Sequence, residues 1–276
     1  MKKQALNPFL PSWEYVPDGE PHVFGDRVYL YGSHDYFRGY VYCLGDYVCW
    51  SAPIEDLGNW RYEGVIYKKE QDPRNTDGKM TLFAPDVVQG ADGRYYMYYI
   101  PNLSQVVSVA VCDTPAGKYE FYGFVKHADG TLLGERRGDS PQFDPGVYRE
   151  KDSTYLYTGF CWPDDASTKG ACVTVLSPDM LTISHEPQVI VPNACHADGT
   201  TFEGHAFFEA SSLRKRNDTY YFIYSSVHNH ELCYATAPSP LGPFTYQGVI
   251  IDNCDVGIGT YKAAEAKAAM HCNNHG

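Results

Sequence analysis

The 276-residue chain has no apolar run approaching the ~20 residues that a membrane-spanning helix needs. Its start, MKKQALNPFLPSWEY, lacks the apolar segment of a signal peptide, so a cytoplasmic protein is expected; a chain stripped of a leader would read the same way and be secreted. Basic charge is scarce: 22 Lys and Arg against 34 Asp and Glu leave a net charge of −12 and a pI near 5.2. That balance excludes a nucleic-acid partner, which needs basic grooves, but not a neutral carbohydrate. No CxxC pair occurs among the nine cysteines, an odd number, so neither a disulfide framework nor a zinc site of paired ligands is indicated. Reduced, mostly buried thiols are expected instead. There is no G-x-S-x-G elbow and no Gly-rich phosphate loop, which removes the triad hydrolases and the common nucleotide-binding classes. Strong helix-forming sequence is missing until Tyr261–Met270.

What the chain has in quantity is aromatic residues, 15% of the total with 24 Tyr, which suits strands in stacked sheets. In TLFAPDVVQGADGRYYMYY, Thr81 to Tyr99, a short apolar run ends in Asp86, an Asp-Gly turn follows, and an aromatic strand closes the unit. This is an antiparallel hairpin with a charge where a core would not want one. The unit recurs around Asp18, Asp144 and Glu209, so four hairpins begin with carboxylates 68, 58 and 65 residues apart. A second echo follows three of them: Trp60–Ile66, Phe121–Val125 and Phe244–Ile250. Four-strand repeats mark an all-β β-propeller. The blades should span about 18–67, 80–127, 141–192 and 202–252 in one domain, with each Tyr-rich segment as a second or third strand. A fifth blade is expected to open near residue 271 and to be truncated. First strands arranged about an axis would bring their acids together at one end.

The chain resembles the glycoside hydrolases of family 43 from NPFLPSWEYVPDGEPHVFGDRVYLYGSHD to the terminal NNHG. The resemblance implies a five-bladed propeller of four-stranded antiparallel blades. It also implies an inverting glycosidase that removes α-L-arabinofuranosyl or β-D-xylosyl units from plant oligosaccharides or polysaccharides. Asp18 of PDGEPHVFGD then looks like the general base and Glu209 of EASSLRKRNDTYY like the general acid. Asp86 of FAPD looks like the residue that tunes and orients the acid. Phe83, where the family often has Trp, would stack on a sugar; Asp144, Trp162 (in an insertion after an aromatic strand) and His205 would bind substrate. His275 of NNHG would lie near the central channel, where it could touch a Ca²⁺ ion through waters; no organic cofactor is implied.

Hydrolysis needs one carboxylate to take a proton from water and one carboxylic acid to protonate the leaving oxygen. Each motif alone is weak, and the acids could instead cap turns or pair with Arg94 and Arg214. Glu20 and Glu203 compete for the same roles. From a different class, a carbohydrate-binding propeller without catalysis would share the pattern.

Overall fold

The computed structural model describes residues 8–102, 104–228 and 231–252. The helix-forming segment at 261–270, the expected fifth blade and His275 lie outside the described residues. Within them the chain forms four four-stranded sheets in which sequence neighbours pair as an up-and-down meander. The first holds β1 (Glu20–Phe24), β2 (Arg27–Tyr31), β3 (Tyr47–Pro53) and β4 (Arg61–Tyr67). The second holds β5 (Leu82–Gln89), β6 (Tyr95–Pro101), β7 (Ser108–Cys112) and β8 (Glu120–Phe124). The third holds β9 (Gly146–Glu150), β10 (Ser153–Thr158), β11 (Gly170–Leu176) and β12 (Gln188–Pro192). The fourth holds β13 (Phe207–Arg216), β14 (Thr219–Ser226), β15 (Glu231–Ala237) and β16 (Thr245–Asp252). Helical structure among the described residues is limited to the 3₁₀ turns Lys69–Gln71 and Ala194–His196, so none is long and apolar enough to cross a membrane.

The hairpin turns explain themselves. A tight two-strand turn needs a residue at positive φ, and Gly25 (63°), Gly93 (85°), Lys151 (53°) and Asn217 (55°) supply it between the first and second strands of the four sheets. The Tyr-rich segments are the second strands, and the Trp60–Ile66, Phe121–Val125 and Phe244–Ile250 echoes coincide largely with the fourth strands β4, β8 and β16. Tyrosine suits these strands because its ring fills the core while its hydroxyl reaches a partner. Thus Tyr31 donates to the Pro115 carbonyl at 2.7 Å, Tyr99 to Asp72 at 2.8 Å and Tyr157 to the Pro240 carbonyl at 2.8 Å.

The chain divides into two compact units. One contains the first two sheets, together with Arg149–Thr154 and Leu176–Ser184. Its core packs Tyr31, Tyr47, Ile66, Leu82, Met97 and Tyr99. The other contains the fourth sheet and most of the third, with Tyr157, Val173, Phe207, Phe222 and Tyr224 in its core. The described cysteines are all free thiols, five of them buried. Burial pushes Cys172 up to about 11 and Cys233 up to about 12, so both stay protonated near neutral pH.

Within the second unit β9 lies against β13 so closely that a side chain on Gly146 would run into the Ser211 carbonyl. Backbone cannot yield as a flexible side chain can. Gly146→Ala should therefore cost about 1–3 kcal/mol of stability, as overpacked sites do. Calorimetry should show a melting point several degrees lower; an unchanged one would mean that the contact is not tight.

Candidate active site

The acids do not all stand at strand starts, as their spacing suggests. Asp18 and Asp144 lie two residues before β1 and β9, whereas Asp86 is the fifth residue of β5 and Glu209 the third of β13. The reason is a second device that aims a side chain. The β5–β6 register shifts between Phe83 and Asp86, and the β13–β14 register shifts on both sides of Glu209. Such bulges bend a strand locally and re-aim the side chain beside them. Pro85 and Ala210 (φ 66°) sit at these irregularities, where a ladder hydrogen bond is not required. Asp18 and Asp144 are instead turned by their own backbones, with φ of 56° and 40°. Aspartate tolerates this left-handed region better than most residues because it is short and bonds locally.

In the first unit Ser33 Oγ donates to Asp18 Oδ2 at 2.5 Å, fixing the carboxylate ahead of β1 and beside the chain that leaves β2. Asp86 is 1% exposed. Its Oδ1 accepts from His22 Nε2 at 2.5 Å and from the Val87 N–H at 2.7 Å. Glu20, His22 and Asp86 bring ligand atoms within 4.8 Å of one another. The pairing of His22 with Asp86 spans 64 residues of sequence and ties β1 to β5. No local motif announces it. Phe83, largely buried, accepts a hydrogen bond on its carbonyl from Tyr47 and meets the Tyr42 ring at 5.9 Å. Arg94 pairs with Asp92 at 2.8 Å rather than with Asp86.

In the second unit the segment Gly159–Cys161 joins the other two acids. Its Gly159 N–H donates to the Phe143 carbonyl at 3.2 Å and its Cys161 N–H to the Phe208 carbonyl at 3.0 Å. Phe143 precedes Asp144 and Phe208 precedes Glu209, so the two carboxylates, one just before β9 and one early in β13, lie beside one segment. Both are buried, at 3% and 4% exposure. The Phe160 ring lies 5.2 Å from that of Phe143 and 5.3 Å from that of Phe208. Trp162 packs an edge on the same cluster, 5.8 Å from Phe208, and leaves 57% of itself exposed. His205 has contacts of its own: its Nδ1 bonds Glu231 Oε2 at 2.9 Å and its ring stacks on Tyr246 at 4.7 Å. Ser226 donates to the same Glu231 oxygen at 2.9 Å, and Cys233 completes a group of three ligand atoms within 4.8 Å. Glu203 is exposed and accepts from the Gly199 N–H at 3.1 Å, which gives it the duty of closing a turn.

Four-stranded antiparallel blades, each with a carboxylate in or just before its first strand, define an all-β protein of the β-propeller type. The family model for glycosyl hydrolases family 43 matches residues 6–257, and the chain belongs to that family. It is 64% identical over its whole length to a xylosidase/arabinosidase of Thermoclostridium stercorarium and spans 58% of that relative. It is 32% identical to a xylosidase/arabinosidase of Bacteroides ovatus, over 88% of this chain and 80% of the other. A solved β-xylosidase/α-arabinofuranosidase from a compost microbial metagenome, in complex with xylotriose and calcium-free, shares 27% identity. It superposes with a TM-score of 0.69 over 90% of this chain and 81% of its own.

Proposed function

We propose that this chain is an inverting glycoside hydrolase that removes α-L-arabinofuranosyl or β-D-xylosyl units from plant-derived oligosaccharides or polysaccharides. The observation that carries the reading is the pair Asp18 and Glu209. Each is held by a local backbone device in a chain whose relatives bear xylosidase/arabinosidase names. Asp18, fixed by Ser33, takes a proton from a water molecule. The water oxygen bonds to the anomeric carbon as the glycosidic bond breaks, and Glu209 gives its proton to the departing oxygen. Phe83 and Trp162 offer apolar faces to the sugar, and His205 lines the approach.

For the third, orienting carboxylate, Asp86 and Asp144 are distinguished by their surroundings. Asp86 is engaged by His22 across β1 and β5. Asp144 shares the left-handed backbone of Asp18 and flanks the segment that also holds the residue before Glu209. The role of orienting Glu209 therefore falls better to Asp144, and Asp86 anchors the first two sheets. Asp144→Asn should lower kcat by about 10²-fold or more with little change in KM, since general acid–base groups contribute on this scale. Asp86→Asn should mainly lower the melting point. The reverse pattern would return the role to Asp86.

The proposal includes a single catalytic domain of the β-propeller type. A calcium ion, if bound, would supply no proton transfer. Of the described clusters, His205–Glu231–Cys233 offers nitrogen and sulfur donors, and Glu20–His22–Asp86 is drawn together by a direct hydrogen bond. Neither is the oxygen cage that calcium prefers. Hydrolysis of p-nitrophenyl α-L-arabinofuranoside and β-D-xyloside by the purified chain tests the reading. Turnover of either supports it, whereas sugar binding without turnover would favour a carbohydrate-binding propeller.

A further inference from the structure

The connection from β2 to β3 carries an unusual surface. Tyr36, Phe37, Tyr40 and Tyr42 are 53%, 72%, 89% and 62% exposed, within seven residues. Large apolar side chains are exposed singly on most proteins, but a run of four in one loop marks a binding surface. The loop is not loose. At its base Gly45 N–H donates to the His34 carbonyl at 2.8 Å, Asp35 N–H to the Tyr15 carbonyl at 3.0 Å and Cys43 N–H to Asp35 Oδ1 at 2.5 Å. At its tip Gly39 N–H closes a turn on the Tyr36 carbonyl at 2.8 Å. Arg38 and Cys43 hold φ of 57° and 58°, a conformation that residues with side chains rarely adopt and that tends to be kept at ligand sites.

The loop is continuous with the candidate active site inside the first unit. It begins directly after Ser33, whose hydroxyl holds Asp18. It returns at Cys43, whose carbonyl accepts from the Leu82 N–H at 3.3 Å, and Tyr42 meets the Phe83 ring at 5.9 Å. Three of the four aromatics are tyrosines, which pair a flat apolar ring with a hydroxyl. That combination matches a sugar ring, whose C–H face is apolar and whose rim is polar. The exposed aliphatic residues of the chain lie mostly elsewhere, at Val249, Ile250 and Ile251 of β16 for example.

We propose that Tyr36–Tyr42 is an aromatic ledge that binds the neutral pentose polymer on which the cleaved unit is carried. It stacks on sugar units beyond the one being removed. The inference rests on the glycosidase reading above and goes further, making the preferred substrate a chain rather than a small glycoside.

The test compares wild type with Tyr40→Ala and with the double variant Phe37→Ala/Tyr40→Ala, both at exposed positions. Each is run on a native gel containing soluble arabinoxylan and assayed on that polymer and on the two p-nitrophenyl glycosides. The expected result is weaker retardation and a fall in kcat/KM on arabinoxylan of about three- to tenfold for the single variant, the scale of one aromatic stacking contact, and more for the double. Aryl-glycoside hydrolysis should stay within about twofold, because those substrates have no chain to stack. Unchanged retardation and polymer kinetics in both variants, with aryl hydrolysis intact, would overturn the ledge while leaving the glycosidase reading in place. A wild type that sediments as a dimer, with the double variant as a monomer, would assign the surface to a second copy and overturn it too. A wild type inactive on aryl glycosides and polymer alike would remove the glycosidase reading itself, and the ledge with it.

Discussion

Asp18→Asn is expected to abolish turnover of every substrate, with kcat falling by at least about 10³-fold, within the range that a positioned general base contributes. The substitution is mild for the fold. Asparagine tolerates the left-handed φ of 56° that this position requires, and its side-chain oxygen can still accept from Ser33. What it cannot do is take a proton from water. Loss of activity with an unchanged melting point would therefore report chemistry and not damage. Asp18→Ala leaves a space beside the anomeric carbon. Azide should restore part of its activity by attacking from the side the water used, yielding a glycosyl azide of inverted configuration. An Asp18→Asn protein with more than about a tenth of wild-type kcat would remove Asp18 from the role of base.

Glu209→Gln should divide substrates by leaving group. Natural sugar leaving groups depart only with a proton, so their hydrolysis should drop by about 10²–10⁴-fold. Activated aryl glycosides such as 2,4-dinitrophenyl glycosides need little protonation and should lose no more than about tenfold. Glutamine matches glutamate in length and can occupy the same bulge between Phe207 and Ser212, so the difference between substrates isolates the proton. Equal losses on both kinds of substrate would point to positioning by Glu209 and against acid catalysis.

How far these residues were legible in advance varied with the physics that places them. The hairpins were legible because their turns need particular residues: Gly93 and Asn217 stand where φ must be positive. The Tyr-rich second strands followed from composition and alternation. The exact seats of Asp86 and Glu209 did not follow, because a bulge adds a residue to a ladder without changing the apolar pattern on either side. His22 gave no signal as the partner of Asp86, since that contact is made between sheets and not along a strand. Asp144 looked like a lesser copy of the motif; its match to Asp18 is in backbone φ, which residue type alone does not reveal. The segment YFRGYVY could have been noticed as aromatic, but whether such a run is core or surface depends on how the loop folds back on Tyr15 and Leu82.

The central claim is hydrolysis with inversion, and proton NMR of the earliest product tests it most directly. Wild-type enzyme and an activated arabinofuranoside or xyloside are mixed in the spectrometer, and the anomeric signal is recorded before mutarotation. Water delivered by Asp18 to the face opposite the leaving group must give the sugar of opposite anomeric configuration first, with the other anomer growing in later. A product that appears first with the configuration of the substrate, or a glycosyl group trapped covalently on Asp18, would contradict the account.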